Sequence, residues 1–151
     1  MDKQIENAMN RLINAEIWST NLYLSLQVYF EEQQLPVLAS WLNAQAQENM
    51  NKAYQLMNRI YHDGSAVTIH EIKRESQQWL TPLAALNTLL EHEQHIFWQI
   101  SDFHVLCQLV APSIYPFVKD LYTKRIYVSS AFIELLRILS VEYKRRLPDF
   151  W

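Results

Sequence analysis

Glycine is nearly absent: Gly64 stands alone in 151 residues, where average usage gives about ten. A chain this poor in the one residue that adopts left-handed backbone freely cannot supply the tight turns of a hairpin-rich sheet, so β architectures are excluded in favour of helices. Cysteine is equally scarce. Cys107 alone rules out an internal disulfide framework or a Cys-rich zinc module, and it fits a reducing compartment. Long hydrophobic runs are missing too. Residues 1–20 hold no signal-type apolar core, and the apolar stretch 96–111 is interrupted by Gln99, Ser101, Asp102 and His104, so a cytoplasmic, soluble chain without a membrane segment is expected. There is no phosphate loop, no nucleotide fingerprint and no Ser-His-Asp pattern.

Charge of one sign is not in excess overall, with 13 Lys and Arg against 16 Asp and Glu. The basic residues nevertheless gather late, in Lys144, Arg145 and Arg146. Three cations near a helix end complement its dipole and unpaired carbonyls, so they do not argue for a nucleic-acid partner.

What the chain does have is length between breakers. Leu35-Pro36, Asp63-Gly64-Ser65, Thr81-Pro82, Ala111-Pro112 with Pro116, and Pro148 leave four segments, predicting helices over 4–33, 36–62, 82–110 and 114–146 in one domain spanning 1–151. Each would run about 40–50 Å at 1.5 Å per residue. The first and last pairs are joined by short links and must be antiparallel. Residues 63–81 are long enough to reach roughly 60 Å, so they can cross the bundle's whole length and leave helices two and three parallel.

The inward stripes carry the functional signal. Helix one repeats Ile5, Met9, Leu12, Glu16, Ser19, Tyr23, Leu26 and Phe30 at alternating steps of four and three. The corresponding stripes read Leu38, Leu42, Gln45, Asn49, Lys52, Leu56 and Arg59 in helix two, and Leu86, Leu89, Glu93, Ile96, Ile100, Phe103, Cys107 and Val110 in helix three. Helix four gives Ile114, Phe117, Leu121, Lys124, Val128, Ala131, Leu135 and Ile138. Each stripe holds an ionisable residue near mid-helix: Glu16, Lys52, Glu93 and Lys124. A charge buried alone costs several kcal/mol, so two acids and two bases at one height imply mutual pairing, a metal or water.

Polar centres in four-helix bundles are where di-iron carboxylate proteins hold metal. The order Ala15-Glu16-Ile17, Asn21-Leu22-Tyr23, Ala46-Gln47-Glu48-Asn49-Met50, Asp63-Gly64, Glu91-His92-Glu93-Gln94 and Tyr115-Pro116 resembles the ferritins, most closely the non-haem bacterial type. The resemblance implies a ferritin-like antiparallel four-helix bundle with the long crossover between helices two and three. It places Glu16 and Glu93 at ligand positions and Tyr23 at the nearby tyrosine. It also implies losses. The second-helix Glu-x-x-His falls on Asn49-Met50-Asn51-Lys52, and helix four has Lys124, Arg125 and Val128 where bacterial members have further ligands. An ammonium has no lone pair for a metal. The expected centre is therefore an ion-pair plug of Glu16, Glu93, Lys52 and Lys124 with Tyr23 and Asn49, similar to that of animal light-chain subunits. A reduced metal site of Glu16, Glu48 and Glu93 is the competing arrangement.

No catalytic residue and no cofactor at the bundle centre is expected; haem is not expected at Met50. The resemblance implies iron only as a stored mineral. A surface metal site at His92 and His95 with Glu91 is a lesser possibility, and His62 and His70, which flank the crossover, are expected to help hold that loop. A second apolar stripe formed by Trp18, Leu22, Tyr29, Met50, Tyr54, Met57 and Tyr61 implies a homodimer face. The resemblance extends this to a 24-subunit cage, alone or mixed with other ferritin subunits. The ending Arg146-Leu147-Pro148-Asp149-Phe150-Trp151 leaves no room for the family's fifth helix. The function expected is a non-catalytic storage or shell subunit, the alternative being a ferritin-fold dimer that binds protein and no longer handles iron.

Overall fold

The computed structural model describes residues 1–72 and 78–146. Among them are four helices, α1 (Lys3–Glu32), α2 (Pro36–His62), α3 (Pro82–Val110) and α4 (Tyr115–Arg146), each within a residue or so of the expected bounds. The expectation about a fifth helix falls on 147–151, outside the described residues. Local chemistry explains the ends. The Asp2 carboxylate accepts from the backbone N–H of Gln4 at 2.8 Å and Ile5 at 3.3 Å, and the Thr81 hydroxyl accepts from Ala84 N–H at 3.1 Å. Pro36 and Pro82 occupy first turns, where no intrahelical N–H is needed.

Helices α1 and α2 end alike. Gly64 has φ 73°, its N–H bonds to Tyr61 C=O, and Ser65 N–H reaches Ile60 C=O. In the α1–α2 turn the same pair of bonds, Gln34 to Glu31 and Leu35 to Phe30, forms around Gln34 at φ 60°. A turn that favours glycine is thus made with glutamine, which is how a chain with a single glycine closes two helix ends.

The crossover lies along α1. Asn10 Nδ2 donates to Ala66 C=O at 2.9 Å while its Oδ1 accepts from Thr68 N–H at 2.8 Å, and Asn14 repeats the pattern on Thr68 C=O and His70 N–H at 2.8 and 2.7 Å. Glu6 adds an acceptor for Ala66 N–H. Three side chains four residues apart on one helix therefore satisfy an extended segment at every second residue, as a neighbouring strand would. The histidines expected to hold this loop do not: the side chains of His62 and His70 are exposed, and His70 is tied through its backbone.

The apolar core is in two blocks. One joins Ile5 to Ala15 of α1 with Leu56, Ile60, Ile96 to Cys107 and Ile114 to Tyr122; the other joins Leu22 to Phe30 with Ala39 to Ala46, Ala85 to Leu89, Phe132 and Leu136. Glu16, Ser19, Asn49, His92, Glu93, Arg125 and Ser129, all buried, lie between them in sequence on every helix. The backbone pairs α1–α2, α3–α4 and α1–α3 approach closely, whereas α2 and α4 stand further apart.

The α1 stripe is buried as expected, and so is α3's apart from Val110. On α2 the buried line passes through Ala39, Leu42, Ala46, Asn49, Ala53, Leu56 and Ile60, with Lys52 half-buried beside it. The α4 stripe requires correction. Leu135 is 47% and Ile138 53% exposed, Lys124 is exposed, and the buried line is Ile114, Val118, Tyr122, Arg125, Ser129, Phe132 and Leu136. The helix is rotated by about one residue, roughly 100°. It carries two candidate stripes, and the one with more polar atoms faces inward because Glu93 and Gln45 give those atoms partners.

Candidate functional site at the bundle centre

Arg125, 3% exposed, forms the hub. Its Nη1 donates to Gln45 Oε1 at 2.8 Å, and Nη2 faces both Glu93 Oε1 and the Tyr23 hydroxyl at 3.4 Å. Ser129 donates to the other Glu93 oxygen at 3.3 Å. All four helices thus meet around one guanidinium, whose planar fork suits a carboxylate and an amide at once. Burial raises the Glu93 carboxyl above its ordinary range, and Arg125 and Ser129 work against that rise.

Glu16, 2% exposed, has no direct cation. It accepts from the Tyr122 hydroxyl at 3.3 Å, and its Oε2 has no partner among the described residues. Desolvation dominates and lifts its pKa to about 7, with Arg125 and Lys52 lowering it from a distance. Glu16 is therefore partly protonated at neutral pH. The same burial, helped by Glu16, holds Tyr122 well above the ordinary phenol value.

The expected plug is accordingly rearranged. Lys124 contributes nothing to it, since the adjacent Arg125 takes the inward position. Lys52 lies 3.8 Å from the exposed Glu48, not against Glu16. Its ammonium is held below the ordinary lysine value, first by burial, then by Arg125 and Lys124, with Glu16 and Glu48 opposing. Tyr23 does border the centre. Asn49 is fully buried, yet neither its amide oxygen nor its nitrogen has a partner among the described residues.

The sequence spacing pairs His92 with His95 on one surface, and the structure separates them. His92 is 4% exposed, with Nε2 at 2.7 Å from Ser19 Oγ and its ring edge-on to Trp18 at 4.4 Å, whereas His95 is exposed. Burial drops the His92 pKa to about 3, so the ring is neutral. Its Nδ1 meets no carboxylate and Ser19 is 1% exposed, so this is a core hydrogen bond and not a nucleophile with its base. Among the described residues no three His, Cys, Asp or Glu side chains cluster closely enough to hold a metal ion, and Glu48 points to the surface, away from Glu16 and Glu93.

The dimer stripe is also redistributed. Leu22 (2% exposed) and Tyr29 (7%) belong to the subunit's own core, Tyr29 packing on Phe30 and Trp79. Trp18 faces α3 through His92 and His95. Met50 and Met57 are half-buried, and Tyr54 and Tyr61 stand out on α2 at 57% and 78%. The sequence reading missed Arg125 and the Ser19–His92 pair. The spacing Tyr122, Arg125, Ser129, Phe132, Leu136 was the available signal for the first.

Four helices in two antiparallel pairs, a full-length crossover and a charged centre define the class of ferritin-fold bundles. The sequence model of the ferritin-like domain matches residues 6–124, and the chain belongs to that family. It is 36% identical over 96 residues to a bacterial non-heme ferritin of Bacteroides fragilis, covering 64% of this chain and 60% of the relative. With the corresponding Campylobacter jejuni protein it shares 30% identity over 96 residues, covering 64% and 58%. The matched stretch thus spans about 60% of the length of these curated relatives. Among solved structures, a humanized archaeal ferritin superposes with TM-score 0.77 at 27% identity, covering 92% of this chain and 88% of that one. An open pore ferritin from Archaeoglobus fulgidus gives 0.75 at 26% identity, covering 92% and 88%.

Proposed function

We propose that this chain is a cytoplasmic, ferritin-type subunit that contributes to an iron-storing shell without oxidising ferrous iron at its own bundle centre. The observation that carries the reading is the donor set. Two ferrous ions need several oxygen or nitrogen lone pairs, and here a guanidinium lies against Glu93, Asn49 offers an amide, and Lys52 offers an ammonium. These residues do not fit a metal pair. Arg125 supplies the positive charge that lets Glu93 stay buried there, in the place a metal would otherwise take. Self-association through the α2 surface around Tyr54 and Tyr61 accompanies the storage role; these are large exposed rings on a helix whose opposite side is packed.

The test is native mass and iron content measured on one sample after aerobic ferrous loading, with the oxidation time course. Slow uptake well beyond two irons per chain in a large assembly is expected. Rapid oxidation of two ferrous ions per chain would overturn the non-catalytic reading. An iron-free small oligomer would overturn storage and leave the protein-binding alternative.

A further inference from the structure

Where α2 and α4 stand apart they leave a cavity of about 430 Å³, open to solvent on one side. Its two walls differ. The α4 wall presents Phe117, Leu121 and Val128, all half-buried, while the α2 wall presents Gln45, Glu48, Lys52 and Gln55. Arg125, buried and hydrogen-bonded to Gln45, also lines it, and its Nε is a buried donor with no acceptor among the described residues. Lys124 enters from the rim and makes no ion pair among the described residues. Of the three cations lining it, Arg125 is paired with the buried Glu93 at 3.4 Å and Lys52 with Glu48 at 3.8 Å, so Lys124 is the cation left without an ion pair among the described residues, with Asp120 the second carboxylate of the lining.

We propose that this cavity binds a small amphipathic carboxylate, its head group among Lys52, Lys124 and Arg125 and its hydrocarbon body against Phe117, Leu121 and Val128. A mixed lining in a concave space of this volume matches ligand sites, in which a few polar groups orient a mainly apolar molecule. The shape of the charge favours a monoanion. A doubly charged, strongly hydrated oxyanion would meet Glu48 and Asp120 and leave the apolar wall uncovered, whereas one carboxylate offers acceptors to Lys124 and Arg125 Nε with less of that repulsion and covers the wall with its hydrocarbon part. The Lys52 ammonium is depressed first by burial and then by Arg125 and Lys124, and an anion beside it offsets part of both.

The test titrates the assembled full-length protein with 3-phenylpropanoate by calorimetry, beside 3-phenylpropanamide, acetate and inorganic phosphate. One molecule per chain is expected, saturating with a Kd on the order of 1–10 mM. The amide and acetate should each bind at least about tenfold more weakly. Lys124→Glu, at an exposed position that folding does not need, should weaken the carboxylate about tenfold, and Leu121→Ser should weaken it while leaving circular dichroism unchanged. Absence of saturation, equal binding of amide and carboxylate, phosphate competing on equal terms, or an affinity indifferent to Lys124→Glu would each overturn the proposal.

Discussion

Arg125 and Glu93 face each other at 3.4 Å with side chains 2% and 0% exposed, the one fully buried ion pair among the described residues. Neither charge has water to fall back on, so each depends on the other.

Arg125→Met should therefore be severe. It strands a buried carboxylate and is expected to cost about 3–5 kcal/mol by urea denaturation. Part of that loss should be recovered in acid, where Glu93 takes a proton. Lys124→Met, one residue away and exposed, should stay within about 0.5 kcal/mol. Lys52→Met should lie within about 1 kcal/mol of the parent, because the pairing lost is with a surface carboxylate and the burial penalty on the ammonium is lost with it. The reverse order of Arg125 and Lys124 effects would return helix four to the register read from the sequence.

The pH dependence has two opposed parts. Glu16, raised from 4.5 to about 7, holds a proton in the folded state that the unfolded chain has released; its stabilisation is complete below pH 4.5 and fades as pH rises through 7. Glu93, also raised, acts in the same sense. His92, lowered from 6.5 to about 3, does the opposite: the unfolded chain takes a proton that the folded one refuses, so stability is present above 6.5 and lost as pH falls towards 3. Between about 5 and 6.5 the Glu16 and His92 contributions oppose each other, with Glu93 adding to the side of Glu16. Glu16→Gln should tilt the balance towards the histidine, lowering stability on acidification by about 1.4 kcal/mol per pH unit relative to the parent over that window, as read from denaturation midpoints at several pH values.

Asn10→Ala and Asn14→Ala should release the crossover without unfolding the bundle. Exchange of the Thr68 amide should quicken with the first and of the His70 amide with the second, each by at least about tenfold, the equivalent of one lost hydrogen bond. Equal protection in both variants would mean that the packing of Val67, and not the asparagine bonds, holds the segment.

Cys107 is fully buried, with its thiol pushed up to about 11 by desolvation. Iodoacetamide at pH 8 should leave it unmodified in the native protein and label it promptly after denaturation. Labelling of the folded state would place it outside the core.

Helix spans, the antiparallel pairs and the inward acids were legible because proline placement and the four-three spacing act locally. The phase of α4 was not. Both of its stripes offer an inward face, and the choice between them rests on partners on other helices 32, 80 and 102 residues away: Glu93, Gln45 and Tyr23 for Arg125. Hydropathy prefers the stripe with Leu135 and Ile138; satisfied hydrogen bonds prefer the other. The burial of Leu22 and Tyr29 was hidden for a related reason. A wide apolar face on α1 serves both α2 and the segment near Trp79, and an isolated sequence cannot say which part of such a face is left for another molecule. The Asn10 and Asn14 ladder was equally silent, since asparagines on an exposed-looking helix face gain meaning only when a chain segment is laid beside them.

The polar layer divides the bundle mechanically. With apolar blocks on either side of Arg125, Glu93 and Glu16, rigidity passes from one end to the other along the helices' own backbones and through a few hinge-like bonds, without continuous side-chain interlocking. Thermal breathing at the Phe30 and Leu136 end need not loosen the Ile5 and Cys107 end. The molecule is built as two apolar chambers on the same four rods, so a local opening in one need not break the contacts of the other.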